Sequence, residues 1–364
     1  MGSCRERWFL YFLIRAEESR KAANAGRWQT GKMPGSSFPP PAMTLPSETP
    51  APLLSPFDAD GPRWRLGELV AALRTSREET HKIRHRGRIR ELPSRTVLSR
   101  VLDGLRAALF PTHYGSADLT DESIDYFVGH TLHAALERLA EQVRRSLFFA
   151  SDADDVHDAE LRQRAVALTQ AFAARLPAIR ALLVSDLQAA YEGDPAATSV
   201  SEILLAYPGM DAVLCHRLAH ALHGLGVPFL ARLVADIAHA RTGIDIHPGA
   251  RIGERFFIDH GTGVVIGETA EIGRNVRLYQ AVTLGAKRFP VDADGQLVKA
   301  LPRHPIVEDD VVIYAGATVL GRIVIGRGST IGGNVWLTHG VPPLSNVSQA
   351  QMTNRAPPAA PGGG

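Results

Sequence analysis

The residues best suited to chemistry lie in three short polar motifs in the last third of this 364-residue chain. The first contains Asp245, the second joins Asp259 to His260, and the third joins Arg303 to His304. A histidine with a carboxylate close by is the usual arrangement of a general base, because the carboxylate fixes the tautomer and the imidazole titrates near pH 7. A lone surface histidine is more often without function, but these polar pairs favour a site.

A repeat of six residues runs through residues 244–342 and must position these motifs. Apolar or small residues return at every sixth position in two runs, Ile246, Ile252, Ile258, Val264, Ala270, Val276 and Val282, then Val307, Ile313, Val319, Ile325, Ile331 and Leu337. Such a repeat is typical of a β-helix, in which three short strands complete one coil. The pattern predicts about four coils. Asp245 and Asp259, fourteen residues apart, are expected on neighbouring layers of one face.

The repeat fails between Gly285 and Arg303, which predicts a long loop that leaves the coil. Long loops in a regular solenoid are uncommon and often functional. Because the loop ends at the third polar motif, we expect it to border the site.

The part of the chain before the repeat has helical periodicity. Its clearest helix follows Thr120, a predicted N-cap, and has apolar residues at three- and four-residue spacing. Further helices are predicted at 160–176, 183–191, 203–205, 212–222 and 229–240. We therefore predict an α+β protein, with an all-α helical domain at 61–241 followed by a left-handed parallel β-helix catalytic domain at 242–343. Residues 1–60 and 344–364 are predicted to be disordered, because they are rich in polar residues and proline.

Composition excludes several classes of function. The net charge of +2 and charged fraction of 21% argue against a nucleic-acid or membrane partner, and the basic run at 82–90 lacks the interleaved aromatic residues of a nucleic-acid site. The apolar stretch at 8–14 is too short to span a bilayer and no cleavage site follows it. Cys4 and Cys215 stand in unrelated contexts, which fits a reducing compartment. We predict a cytoplasmic protein.

The histidines of the helical part do not indicate a metal site. His216, His220 and His223 recur at helical spacing and could form a ligand face. No carboxylate joins them and the segment is otherwise apolar, so we interpret them as packing and capping residues. We predict that the protein binds no metal.

Together the motifs resemble those of the serine O-acetyltransferases, a family of hexapeptide-repeat enzymes. The resemblance covers about residues 183–343 and is carried by DIHP at 245–248, DHGTGVVIGETA at 259–270, VTLG at 282–285 and RHP at 303–305. The repeat alone is common to many acyltransferases, but DHGTG and RHP together are specific. The resemblance implies transfer of acetyl from the co-substrate acetyl-CoA directly to the hydroxyl of L-serine, giving O-acetyl-L-serine for cysteine biosynthesis.

The resemblance also assigns roles to residues. His260 is expected to be the general base and Asp245 to hold its imidazole. Five residues are expected to bind or support serine: Asp194 and Asp259 at its ammonium, Arg303 and His304 at its carboxylate, and Glu268 behind them. The thioester and pantetheine arm are expected along the backbone of Gly285, Ala286 and Ala315.

The family's site forms between neighbouring β-helices, so the resemblance implies a homotrimer or a dimer of trimers in which His260 and His304 come from different subunits. Three departures are visible: a longer loop before Arg303, Ala286 in place of a glycine, and Gly364 at the end of the sequence in place of isoleucine. Because that isoleucine binds O-acetylserine sulfhydrylase in many members, we expect such a complex to be weak or absent.

Three alternatives stay open on sequence alone. A hexapeptide acetyltransferase for another small alcohol or a sugar would keep His260 but would not need the paired acids or Arg303 and His304. A non-catalytic scaffold would not need any of these polar residues. A metal-dependent lyase ranks third.

Overall fold

The computed structural model describes residues 66–80, 91–151, 158–288, 290–292, 294–299 and 301–349. The chain divides into two units, 1–73 and 74–364. Helix α1 spans Leu66–Thr75 and is followed by a π-helical turn at Ser76–Thr80. The elements described below belong to the second unit. The predicted disordered segment at 1–60 lies outside the described residues.

The helical part consists of α2 (Arg95–Leu109), α3 (Pro111–Tyr114), α4 (Ile124–Ala150), α5 (Asp158–Ala173), α6 (Leu176–Gly193), α7 (Val200–Ala206), α8 (Pro208–Gly224) and α9 (Pro228–Thr242). Proline stands in the first turn of α3, α6, α8 and α9, where its missing N–H is not needed. The predicted N-cap at Thr120 is wrong, because α4 begins at Ile124 and Ser123 precedes it. Thr120 instead exchanges hydrogen bonds with Ser123 in the turn ahead of the helix.

No single helix in the described residues is long and apolar enough to cross a membrane, whereas α5 and α6 pass that test of length and composition only as a bent pair.

Fourteen short strands follow in the described residues: β1 (Asp245–Ile246), β2 (Arg251–Ile252), β3 (Phe257–Ile258), β4 (Val265–Ile266), β5 (Glu271–Ile272), β6 (Arg277–Leu278), β7 (Thr283–Gly285), β8 (Ile306–Val307), β9 (Val312–Ile313), β10 (Thr318–Leu320), β11 (Val324–Ile325), β12 (Thr330–Ile331), β13 (Trp336–Leu337) and β14 (Asn346–Val347). They form three parallel sheets, which we name A (β1-β4-β7-β10-β13), B (β2-β5-β8-β11) and C (β3-β6-β9-β12-β14). Every third strand therefore stacks on the same sheet, as a β-helix requires.

The first coil is two residues longer than a regular one. Ile246 pairs with Ile266, twenty residues along the chain, whereas Ile266 pairs with Leu284, eighteen residues along. The prediction of an unbroken six-residue period from Ile258 to Val264 is therefore wrong, because two extra residues enter between β3 and β4. Val264 is nevertheless buried, since it occupies a second inward position two residues ahead of Ile266.

The predicted loop leaves the coil between β7 and β8. Val291 and Leu297 form an antiparallel bridge across it, and the Asp292 carboxylate accepts hydrogen bonds from the amides of Asp294 and Gln296. At the other end of the repeat, β14 pairs with β12. The predicted start of a disordered tail at residue 344 is therefore wrong, because the β-helix continues to Val347.

A buried ion pair joins the helical part to the first coil. The Arg217 side chain on α8 is 5% exposed and that of Asp186 on α6 is 1% exposed, and two hydrogen bonds of 2.8 and 2.9 Å connect them. Arg217 also donates to the carbonyl groups of Ile252 (2.9 Å) and Gly253 (2.7 Å), while Asp186 accepts from the amide of Phe256 (2.8 Å). These contacts fix α6 and α8 on the β-helix.

Candidate active site

The two extra residues of the first coil place His260 outside the regular turn. They lie between Ile258, at the end of β3, and Ile266, at the end of β4. His260 takes a left-handed backbone with φ of 57°, which is uncommon for a residue with a side chain and is often found at functional sites. Its side chain is 71% exposed, so the imidazole is free to meet a substrate.

Acidic groups surround His260. The Asp259 carboxylate, only 14% exposed, lies 3.8 Å from its Nδ1. A hydrogen bond of 2.6 Å from the Tyr207 hydroxyl lowers the pKa of Asp194, which comes directly after α6, and the charge of His260 lowers it to a smaller extent. The same hydrogen bond raises the pKa of Tyr207 to about 12. We name the set Asp194, Tyr207, Asp259 and His260 the His260 corner.

Local packing brings the helical residues to this corner. A Cβ on Gly209 would lie 2.0 Å from the carbonyl oxygen of Ile258, so only glycine lets the start of α8 approach the end of β3 so closely. Tyr207, two residues earlier, is thereby held beside Asp259. The sequence analysis placed Tyr207 between the predicted helices at 203–205 and 212–222 and did not single it out as a candidate site residue.

Asp245 lies next to the His260 corner without touching His260. It belongs to β1, and its amide donates to the carbonyl of Val264, 2.9 Å away, directly after the extra residues. No hydrogen bond joins Asp245 to His260 within the described residues. Among the described carboxylates, Asp259 is the one that lies within 4 Å of the imidazole, at 3.8 Å. The role expected for Asp245 stays a prediction.

A second polar set lies where the chain passes from sheet A to sheet B. Glu268 and Thr269 occupy this turn in one coil, and Arg303 and His304 occupy it in the next, so we name the four residues the Arg303 corner. Arg303 Nη2 donates to Glu268 Oε2 at 2.6 Å, and this hydrogen bond lowers the pKa of Glu268. The corner therefore carries one cation, one carboxylate and an imidazole.

His304 is an uncharged member of this corner at neutral pH. Burial lowers its pKa to about 4, and the residue is only 7% exposed. A neutral imidazole donates through one ring nitrogen and accepts through the other. His304 can therefore donate one hydrogen bond to a carboxylate but adds no charge.

The two corners are on opposite edges of sheet A. His260 stands between sheets C and A, whereas Arg303 and His304 stand between sheets A and B. No hydrogen bond or ion pair joins the two corners within the described residues. One chain therefore supplies two separate groups of polar residues, each on its own edge.

The residues expected to bind the co-substrate also divide between these edges. Gly285 ends β7 in sheet A, and its carbonyl accepts from the amide of Gly321 at 2.9 Å. Ala315 lies between sheets C and A, and its carbonyl accepts from the amide of Asn334 at 2.9 Å. Within the described residues, the amides of Ala286 and Ala315 have no backbone acceptor. Both amides are available to a ligand.

Two tyrosines near Ala315 were missed by the sequence analysis. The rings of Tyr279 and Tyr314 stack with centroids 5.0 Å apart, one coil apart on the edge that carries His260. They are 35 residues apart in sequence because the long loop intervenes, and this hides their alignment from a six-residue period.

The three helical histidines lie where α8 meets the first coil. His216 is buried, and burial lowers its pKa well below the usual value, while His220 Nδ1 lies 2.8 Å from the carbonyl of Pro248. Their packing follows the interpretation made from sequence. Within the described residues, no three histidine, cysteine or acidic side chains come together as metal ligands.

Comparison with known proteins gives a consistent family. Residues 304–339 match the model of bacterial transferase hexapeptide repeats. The chain is 56% identical over 295 residues to a plasmid-encoded serine acetyltransferase of Synechococcus elongatus, covering 79% of this chain and 92% of that one. A serine acetyltransferase of Bacillus licheniformis is 49% identical over 166 residues, which cover 46% of this chain and 73% of the relative.

Solved structures agree. The serine acetyltransferase 1 of Entamoeba histolytica, solved in complex with L-cysteine, is 38% identical and superposes with a TM-score of 0.60 over 68% of this chain and 86% of that one. The native form of that enzyme gives a TM-score of 0.59 at 33% identity, over 77% and 97% of the two chains. The predicted fold class, a helical domain followed by a left-handed parallel β-helix, is confirmed. This chain belongs to the serine acetyltransferase family.

Proposed function

We propose that this protein transfers the acetyl group of acetyl-CoA to the hydroxyl of L-serine, giving O-acetyl-L-serine and CoA, the first step of cysteine biosynthesis from serine. The observation that carries the proposal is the matching of charge at the two corners. The His260 corner has carboxylates suited to an ammonium group, and the Arg303 corner has a cation suited to a carboxylate. Opposite charges at the two ends of an amino acid orient it as well as bind it.

His260 acts as the general base. As the serine oxygen attacks the thioester carbonyl, the imidazole takes the hydroxyl proton, because a neutral alcohol is a poor nucleophile. The tetrahedral intermediate then collapses, the carbon–sulfur bond breaks, and the imidazolium returns the proton to the leaving thiolate. Cys215 takes no part, because it is buried and burial raises its pKa to about 12.

The carboxylates bind the substrate or support the residues that act on it. Asp194 and Asp259 bind the ammonium of serine, and the hydrogen bond from Tyr207 holds Asp194 in its ionised, oriented form. Asp245 stabilises the imidazolium as the carboxylate of a catalytic triad does. This role is supported by the position of β1, whose Asp245 amide bonds to the segment that carries His260. Glu268 keeps Arg303 directed at the substrate carboxylate.

A second copy of the chain completes the site. Sheet A lies between the two corners, so the His260 corner of one subunit faces the Arg303 corner of its neighbour. This arrangement closes in a homotrimer or a dimer of trimers, since each subunit then offers one edge to each neighbour.

The acetyl-CoA arm lies along the edges of sheet A. The free amides of Ala286 and Ala315 bind the thioester oxygen and the pantetheine chain, and Gly285 leaves the strand surface open. Amide donors directed at the thioester oxygen stabilise the negative charge that develops there. We place the reaction in the cytoplasm, where thiols such as the free Cys215 stay reduced.

The test is release of free thiol from acetyl-CoA in the presence of L-serine. We expect wild-type turnover that depends on serine and falls about 10²–10⁴-fold in His260→Ala, as for loss of a general base. His133→Ala, which removes an exposed histidine from α4, serves as the matched control and retains activity. Turnover with sugars but not with serine would contradict serine as the substrate. The absence of turnover with any acceptor would favour a non-catalytic scaffold.

A further inference from the structure

Within the described residues, the hydroxyl of Thr269 bonds only to Arg303 and His304. Its Oγ1 lies 2.9 Å from the amide nitrogen of Arg303, 3.2 Å from the amide nitrogen of His304, and 2.9 Å from His304 Nδ1. A threonine hydroxyl has two lone pairs and one hydrogen. The two amides take the lone pairs, and the hydrogen points to Nδ1, so the whole bonding capacity of Oγ1 goes to this dipeptide.

The backbone of Thr269 fixes the tautomer of His304. Its amide N–H donates to His304 Nδ1 at 3.1 Å. Because an amide N–H can only donate, Nδ1 must be the acceptor, so the ring proton must be on Nε2. Nε2 has no hydrogen-bond partner within the described residues, so its N–H is available to an incoming carboxylate.

The rest of the corner holds the ring and the backbone in this position. A Cβ on Gly267 would lie 2.0 Å from His304 Cδ2, so the imidazole packs directly against that glycine. Arg322 Nη1 donates to the carbonyls of Thr269 (2.7 Å) and His304 (3.1 Å), so this side chain connects the two coils. Contacts within the protein therefore set the geometry of the Arg303 corner without a bound substrate.

We propose that Thr269 is the residue that positions Arg303 and His304 for the carboxylate of the amino-acid substrate. Its hydroxyl sets the backbone of both residues, and its amide and hydroxyl together make His304 a neutral Nε2–H donor beside the Arg303 cation. The inference rests on the proposed function, because it names the part of that site that recognises the carboxylate.

The experiment compares Thr269→Val with Thr269→Ser. Valine keeps the shape and the backbone amide but removes the hydroxyl, which leaves the amides of Arg303 and His304 without their acceptor. Unpaired polar groups of this kind lose binding by about tenfold or more. We expect the valine variant to raise the KM for serine about 10–100-fold while the KM for acetyl-CoA stays within about threefold. Serine at this position restores the hydroxyl and should bring the serine KM back to within about threefold of the wild type.

The outcomes separate the inference from the proposed function. Wild-type protein without serine-dependent thiol release overturns the proposed function itself. Normal wild-type turnover together with an unchanged serine KM in Thr269→Val overturns only the role of Thr269, as does an equal rise in both KM values or a failure of Thr269→Ser to rescue. If circular dichroism shows that the valine variant does not fold, Thr269→Ala takes its place. Alanine removes the same hydroxyl without adding a methyl group, and the same criteria apply to it.

Discussion

Arg217→Met tests whether the buried ion pair holds the helical part on the β-helix. The Arg217 and Asp186 side chains are 5% and 1% exposed, and methionine replaces the long side chain without its charge. Asp186 then remains buried, and within the described part of the chain the Phe256 amide is the one hydrogen-bond partner left to it. Removing one member of a buried pair typically costs about 3–5 kcal/mol, because the other charge is left uncompensated.

The magnitude is read from urea unfolding at a fixed protein concentration, since association contributes to stability. We expect the urea midpoint to fall with an unchanged slope, because the free energy of unfolding drops by about 3–5 kcal/mol. That loss corresponds to about 6–20 °C in Tm at about 2–4 °C per kcal/mol. The matched control is Glu192→Gln. It removes the charge of a pair between α6 and Arg255 that spans 2.5 Å but whose Glu192 side chain is 61% exposed, and exposed pairs contribute about 0–1 kcal/mol.

A double variant shows whether the loss comes from the stranded charge. Asp186→Leu combined with Arg217→Met removes both charges, so part of the lost stability should return, as it does when buried pairs are replaced by apolar residues. The reasoning is refuted if Arg217→Met destabilises no more than Glu192→Gln, or if the double variant is as unstable as the sum of the single variants.

Two further predictions concern the Arg303 corner and the histidines near it. Gly267→Ala should raise the KM for serine at least about tenfold, because the new methyl group displaces the His304 ring. The control Gly129→Ala, whose methyl group meets open space on α4, should leave the KM for serine unchanged. Equal kinetics in both variants would contradict the packing of His304 against Gly267. Burial lowers the pKa of His247 and of His304 to about 4. Above pH 6.5 the two imidazoles are neutral in both the folded and the unfolded chain. As the pH falls from 6.5 towards 4, these imidazoles bind protons in the unfolded chain but not in the folded chain, so the free energy of unfolding falls over that range. The free energy of unfolding at pH 7 and pH 5 should therefore differ less in His247→Asn than in the wild type, and an equal difference would exclude His247.

The fold follows from the sequence because most coils carry the six-residue period, and the first coil departs from it by only two residues. Inward residues such as Ile246, Ile313 and Leu337 are buried and stack on equivalent positions of a neighbouring coil. The pattern therefore recurs often enough to be recognised in the sequence without knowledge of the contacts. The ion pair of Asp186 with Arg217 could not be read in this way. Its partners are 31 residues apart on different helices, and neither helix shows a pattern that marks a buried charge.

The site was predicted unevenly for the same reason. His260, Asp259, Arg303 and His304 stand in short motifs, so their residue types and spacing could be recognised directly. Tyr207 and Thr269 act through hydrogen bonds to residues 13 and 34–35 positions away, and only the folded chain brings those partners together.

Three of the polar residues, His260, Arg303 and His304, lie where the regular repeat is broken. His260 belongs to the two extra residues of the first coil, and Arg303 and His304 end the loop that leaves the coil before β8. The two extra residues between β3 and β4 carry the His260 side chain into solvent, where it is 71% exposed. The left-handed backbone of His260 costs about 1–2 kcal/mol, and the stacked strands on either side offset that cost. Departures from a strong local pattern are therefore the positions at which a sequence of this kind is expected to carry its chemistry.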